Sequence, residues 1–156
     1  VAARTVGVAR LVLMGAAVSM PVHPDLLRAA DRNELLASEL MTAWGHGTRS
    51  HVAGNPTPGL WMVGGGQALL ERAGPGVIAN DLSACNSYDA GDVAARVLCP
   101  ATMIVGSVDR MTPPKAAAAL VASFENVNVV HLDQVGHAMM TEAPDLVRAA
   151  LIAALA

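Results

Sequence analysis

The sequence predicts an α/β fold in which about three parallel strands carry flanking helices and an inserted helical cap. Three stretches carry that prediction. Residues 101–105 form a short apolar run rich in β-favouring types, closed by Gly106; Val127–Leu132 is a second such run; and residues 8–16 (VARLVLMGA) are apolar on both faces, as a strand buried in a parallel sheet must be. A helical run over residues 115–124 separates the first two, and a strand, helix, strand order of this kind makes neighbouring strands parallel.

Taken from the start, residues 8–16 read as the tail of a helix turning into a strand. Arg4 and Arg10 ahead of the apolar residues 11–18 also resemble a secretory leader, but the run is short for one and the strand accounts for more of it. From Met20 the sheet pattern stops, and Pro21 and Pro24 begin an excursion. Residues 25–30 and 33–44 repeat apolar side chains every three or four positions (Leu26, Leu27 and Ala30, then Leu36, Leu40, Met41 and Trp44), with Asp31 and Glu34 placed as a capping box between two helices. Residues 45–58 read as a loop, residues 67–72, 75–86 and 89–96 as three further short helices, and the sheet resumes at Val97. The expected division is therefore 1–19 as core strand and start of the cap, 20–96 as helical cap, and 97–156 as C-terminal core. A strandless connection of that length far exceeds the usual four to six residues or so and is expected to be functional.

The chemistry sits in the last part. Asp109 follows the strand at 101–105 and precedes a helix that Thr112 and Pro113 can open; His137 follows the strand Val127–Leu132, with Gly136 freeing the backbone beside it. Either residue alone has a plain reading, an acid satisfying loop amides or a histidine in a loop. Together they fall at the carboxyl ends of two adjacent parallel strands, where groups can meet. His131, Asp133 and Glu142 are weaker alternates: His131 lies inside the strand and Asp133 is close to His137 along the chain.

An acid after one strand and a histidine after the next is the order of the last two triad members in α/β-hydrolases. The segments CPATMIVGSVDRMTPPKAAAAL and NVVHLDQVGHAMMTEAPDLVRAAL resemble the C-terminal third of such an enzyme, down to the proline opening the final helix. Residues 8–16 resemble the strand after the nucleophile helix, and residues 20–96 the cap. The resemblance implies a triad in which Asp109 orients His137 and His137 acts as base, hydrolysis of a small ester-like or lactone substrate, and a cap that shapes its pocket. Met20, Trp44, Trp61 and Met111 are candidates for lining that pocket, with Met41 and Met62 beside them, although apolar stripes at helical spacing also serve simply as core. One part of the pattern is missing: no Gly-x-Ser-x-Gly occurs, and none of the seven serines sits on a glycine-flanked elbow. The expectation is a C-terminal portion of a hydrolase, inactive alone, with roughly five strands and an elbow encoded upstream of Val1. The same fold hosts epoxide, halide and carbon–carbon bond hydrolysis and cofactor-free haloperoxidases, and a non-catalytic binding domain on this fold is the alternative of another class.

Composition narrows the partners. Of 156 residues, 53% are apolar and 15% charged, against about 25% charged in ordinary soluble domains, so some surface is expected to be covered. A net charge of −3 without a Lys/Arg cluster gives no footprint for nucleic acid or an anionic membrane. The expected partners are a small-molecule substrate and, through an exposed sheet edge, a second copy or the missing N-terminal part. His46 and His51 lack a third ligand at metal spacing, and Gly64, Gly65 and Gly66 lack the strand and the spacing of a nucleotide loop, so no metal and no cofactor is expected. Cys85 and Cys99 form no disulfide framework and read as small buried residues of a reduced, cytoplasmic protein.

Overall fold

The computed structural model describes residues 7–52, 54, 56 and 59–156. Three strands form one parallel sheet in the order β1 (Leu11–Met14), β2 (Ala101–Gly106), β3 (Val127–Leu132). Leu11 pairs with Ala101 and Ala101 with Val127, so the three strands start level and their carboxyl ends finish at one edge. Central β2 is buried at every position, because it is paired on both sides and covered on both faces. Its alternating side chains divide the core: Met103 and Val105 pack with Ala117 and Leu120 on one face, while Ile104 packs with Leu132, Met139, Val147 and Ala150 on the other.

Between β1 and β2 the chain runs through α1 (Pro24–Asp31), α2 (Leu35–Gly45), α3 (Thr48–His51), α4 (Met62–Glu71), α5 (Val77–Ser87) and a 3₁₀ turn at Gly91–Arg96. Ser19 bridges Asp89, and the Ala90 amide donates to the Val18 carbonyl at 2.7 Å, so the insertion leaves and rejoins the core at one neck. Leu26, Ala29, Ala30, Ala37 and Leu82 give it a small core of its own. After β2 come α6 (Pro114–Val121), β3, α7 (Met139–Glu142) and α8 (Pro144–Leu155). Prolines at the first helical positions of α6 and α8 supply the fixed φ of a helix start where no amide donor is needed.

Four local expectations are corrected. The capping box does not form: Glu34 is the N-cap of α2 without a side-chain cap bond. Asn33, at φ +53°, ends α1 instead, with its amide on the Ala30 carbonyl and the Glu34 amide on that of Ala29, the Schellman arrangement. Residues 45–58 are not all loop, since Thr48–His51 is a helical turn. The α4 helix starts at Met62 rather than residue 67 and takes in all three glycines, Gly64 beneath the Trp61 ring and Gly66 against Thr42 and His46. Packing on α2 outweighs their poor propensity, roughly 1 kcal/mol per glycine. Finally, β1 is shorter than expected: residues 8–10 are irregular where the tail of a helix is expected, and Arg4 lies outside the described residues.

Candidate active site

Asp109 and His137 meet at the carboxyl edge of the sheet. The turn after β2 is anchored to the loop after β3 by the Ser107 amide on Leu132 O (2.9 Å) and the Val108 amide on Val135 O (3.1 Å), which brings the two loops side by side. The Asp109 side chain is 0% exposed and its four hydrogen bonds account for both oxygens. Oδ1 accepts from the amides of Met111 (2.8 Å) and Thr112 (2.9 Å). Oδ2 accepts from Thr112 Oγ1 (2.8 Å) and from His137 Nδ1 (2.9 Å). An ionised carboxylate can only accept, so the ring hydrogen sits on Nδ1 and Nε2 is left with its lone pair free to accept. Thr112 Oγ1 also lies 3.2 Å from Nδ1, which makes it a second orienting group on the same ring nitrogen.

Burial pushes the Asp109 carboxyl up, but the hydrogen bond and charge of His137 and the bonds from Thr112 outweigh it and hold the group below the usual carboxylate range. Folding therefore lowers this pKa. The resulting stabilisation is fully present above the unfolded value of roughly 3.9 and is lost as pH falls through the folded one. Urea unfolding at pH 5 and pH 3 should show the acid loss reduced in Asp109→Asn relative to the unaltered chain. Identical losses in both would mean that Asp109 is not held ionised.

Gly15 closes the back of the site. It ends β1 at φ +55°, and a Cβ there would fall 2.8 Å from His137 Cε1 and 2.9 Å from Nδ1, so no side chain fits without moving the imidazole. In front lies a cavity of about 480 Å³ walled by Met20, Val22, Leu26, Trp44, Leu82, Cys85, Arg110, Met111 and His137, among others. His137 is 37% exposed and its ring lines that cavity. The structure thus brings Met20, Trp44 and Met111 to the wall with the Asp–His pair. Trp61 is not there: it is 67% exposed at the N-terminus of α4, its ring laid over Gly64. Met41 packs in the insertion's core and Met62 is buried, neither on the cavity.

The alternates separate from the site. His131 is exposed on β3, and Asp133 is exposed and accepts from Ser107 Oγ. Glu142 holds backbone amides rather than the imidazole. Cys85 and Cys99 are unbridged and half-buried rather than buried. Among the described residues no serine hydroxyl bonds His137, no three His, Cys, Asp or Glu cluster as metal ligands, and no helix is long and apolar enough to cross a membrane. Thr112, Gly15 and Arg110 are not marked as site residues by the sequence: Thr112 with Pro113 signals only a helix start, and only the fold puts Gly15 under the histidine.

No protein-family model matches the sequence, and no curated protein matches it. Solved structures do. The chain superposes on an enol-lactonase from Burkholderia xenovorans with a TM-score of 0.83 at 18% identity, covering 99% of this chain and 59% of that one. It superposes on an α/β-hydrolase enzyme from a deep-sea metagenome library with a TM-score of 0.79 at 18% identity, covering 99% and 58%. A thermophilic esterase from Thermogutta terrifontis gives 0.76 at 20% identity, covering 94% and 55%. At such identities the likeness carries the fold, and this chain, spanning little more than half the length of those proteins, holds part of an α/β-hydrolase fold.

Proposed function

We propose that this chain supplies the acid, the base and the substrate-covering insertion of a hydrolase that transfers an acyl group from a small ester or lactone to water. The observation that carries the reading is the 2.9 Å bond between a fully buried Asp109 carboxylate and His137, placed at the wall of a mostly apolar cavity. His137 Nε2 would take the proton of a nucleophile as it attacks the carbonyl carbon, and the imidazolium so formed would be stabilised by Asp109 before the proton passes to the leaving oxygen. The nucleophile and the oxyanion donors would come from the part of the fold that lies before β1. Esterase and enol-lactonase are names that four of the similar structures carry and bromoperoxidase the name of two, a balance that supports acyl transfer as the reading to test first.

The test is a protein whose reading frame extends upstream of Val1. It should contain a Gly-x-Ser-x-Gly elbow about one helix length, roughly 10–15 residues, before Val1. It should turn over short-chain chromogenic esters or lactones and be labelled at that serine by a fluorophosphonate. An aspartate at the elbow, with epoxide or halide turnover, would move the reaction class; a folded protein without elbow, label or turnover would return the chain to a binding role.

A further inference from the structure

Glu142 is the carboxylate at this site that the triad does not use. It ends α7, and its oxygens take hydrogen bonds from two different parts of the molecule. Oε1 accepts from the amide of Gly136 at 3.1 Å. Oε2 accepts from the Gly47 amide at 2.8 Å and from Ser50 Oγ at 3.0 Å. Gly136 is the residue before His137; Gly47 and Ser50 lie at the start of α3, inside the helical insertion, and all three donors are buried. On the other side of the histidine, the Ala138 amide donates to the carbonyl of Gly45, the last residue of α2, at 2.8 Å. The residues on either side of His137 are therefore tied to the insertion through their amides, Ala138 directly and Gly136 through Glu142. The contact is backbone to backbone: a Cβ on Gly136 would lie 2.4 Å from the Gly47 nitrogen and 2.8 Å from Glu142 Oε1.

We propose that Glu142 is a positioning residue, bracing Gly136 against Gly47 and Ser50 so that the His137 imidazole stays in register with Asp109 and the α2–α3 end of the insertion is fastened to the base instead of moving as a free lid. The inference rests on His137 being the base. A carboxylate is what the three donors require, because it offers acceptors on both oxygens. In glutamine the amide nitrogen would replace one of them and turn its own hydrogens toward a donor. Aspartate is a methylene shorter and cannot span from Gly136 to Gly47.

The experiment uses the longer, active protein labelled with ¹⁵N at histidine, the His137 ring being assigned by its loss in His137→Ala. Two-bond proton–nitrogen correlations read which ring nitrogen carries the hydrogen. In Glu142→Gln the ring is expected to change from one Nδ1–H tautomer to a mixture, with exchange of the Gly136 and Gly47 amides faster by about tenfold or more. The value of kcat should fall by roughly tenfold to a hundredfold while KM stays within about twofold, as expected for a displaced but intact base. Should that variant not fold, Ser50→Ala removes one donor and keeps the carboxylate, and the same changes are expected in smaller measure. An unmoved ring and unchanged kcat in a folded Glu142→Gln overturn the proposal. Asp109→Asn separates this from the parent reading: if it shifts the ring and Glu142→Gln does not, the pair stands and the brace falls, and if neither shifts it, both fall.

Discussion

Asp109→Asn is expected to lower kcat of the complete enzyme by about 10⁴-fold, and His137→Ala by about 10⁴- to 10⁶-fold, with the protein still folded. The aspartate effect follows from how its two oxygens are used. Oδ1 already takes the Met111 and Thr112 amides, so an asparagine would keep its carbonyl oxygen there and turn its NH₂ toward Thr112 Oγ1 and His137 Nδ1. Facing a donor, Nδ1 must accept, which moves the ring hydrogen to Nε2 and leaves the nucleophile without a base. Removing the imidazole goes further, because no neighbouring side chain replaces it: the groups around Nδ1 are the fully buried Asp109 carboxylate, a threonine hydroxyl and the Gly15 backbone. Steady-state ester hydrolysis by the two variants, with circular dichroism to confirm folding, checks this. Loss of less than about tenfold in His137→Ala would mean that another residue is the base.

The parts of this molecule that were legible in advance are those where local pattern and tertiary role agree. Strand β3 carries valine at positions 127, 129 and 130, and β2 follows Pro100 and closes at Gly106, so the strand character of one and the ends of the other are marked by the chain itself. Asp109 and His137 were legible for the same reason, since the residue after a parallel strand falls at a known edge. What escaped depends on contacts between distant segments. The glycines of α4 are poor helix formers made helical by packing against α2, and Glu34 looks like a capping partner until Asn33 takes the left-handed turn that ends α1. Trp61 reads as a pocket aromatic on composition alone, yet its position at the start of α4 turns the ring across Gly64 and out to solvent. Thr112 and Gly15 become site residues only when the two loops and the end of β1 converge on one imidazole.

Expressed alone, this 156-residue chain is expected to lack ester hydrolysis above background and to elute on size exclusion well above its 16.0 kDa monomer mass. The inactivity is chemical. Among the described residues no serine hydroxyl bonds His137 and the Thr112 hydroxyl lies on Nδ1, away from Nε2, while oxyanion donors, whose removal one at a time costs about 10² to 10³ in rate, come from the strands and loops before β1 in this fold. The association is a matter of surfaces. Strand β1 pairs with β2 on one side through Leu11 and the residues alternating with it and, among the described residues, with nothing on the other, so the outward amides and carbonyls of Val12 and Met14 form a template for another strand. The opposite edge is less inviting, because β3 exposes Asn128 and His131. A second sticky surface runs along α8, where Met140, Val147, Leu151, Ile152 and Leu155 line an open apolar groove of about 590 Å³ and Ile152 is 60% exposed. Adding the upstream part of the fold in trans should restore a smaller, active species if β1 is the strand it pairs with. A charged substitution in that strand, Val12→Lys, should abolish this rescue. A monomeric chain that hydrolyses esters by itself, and stops doing so in His137→Ala, would place the nucleophile within these residues and remove the reason for expecting a partner at β1.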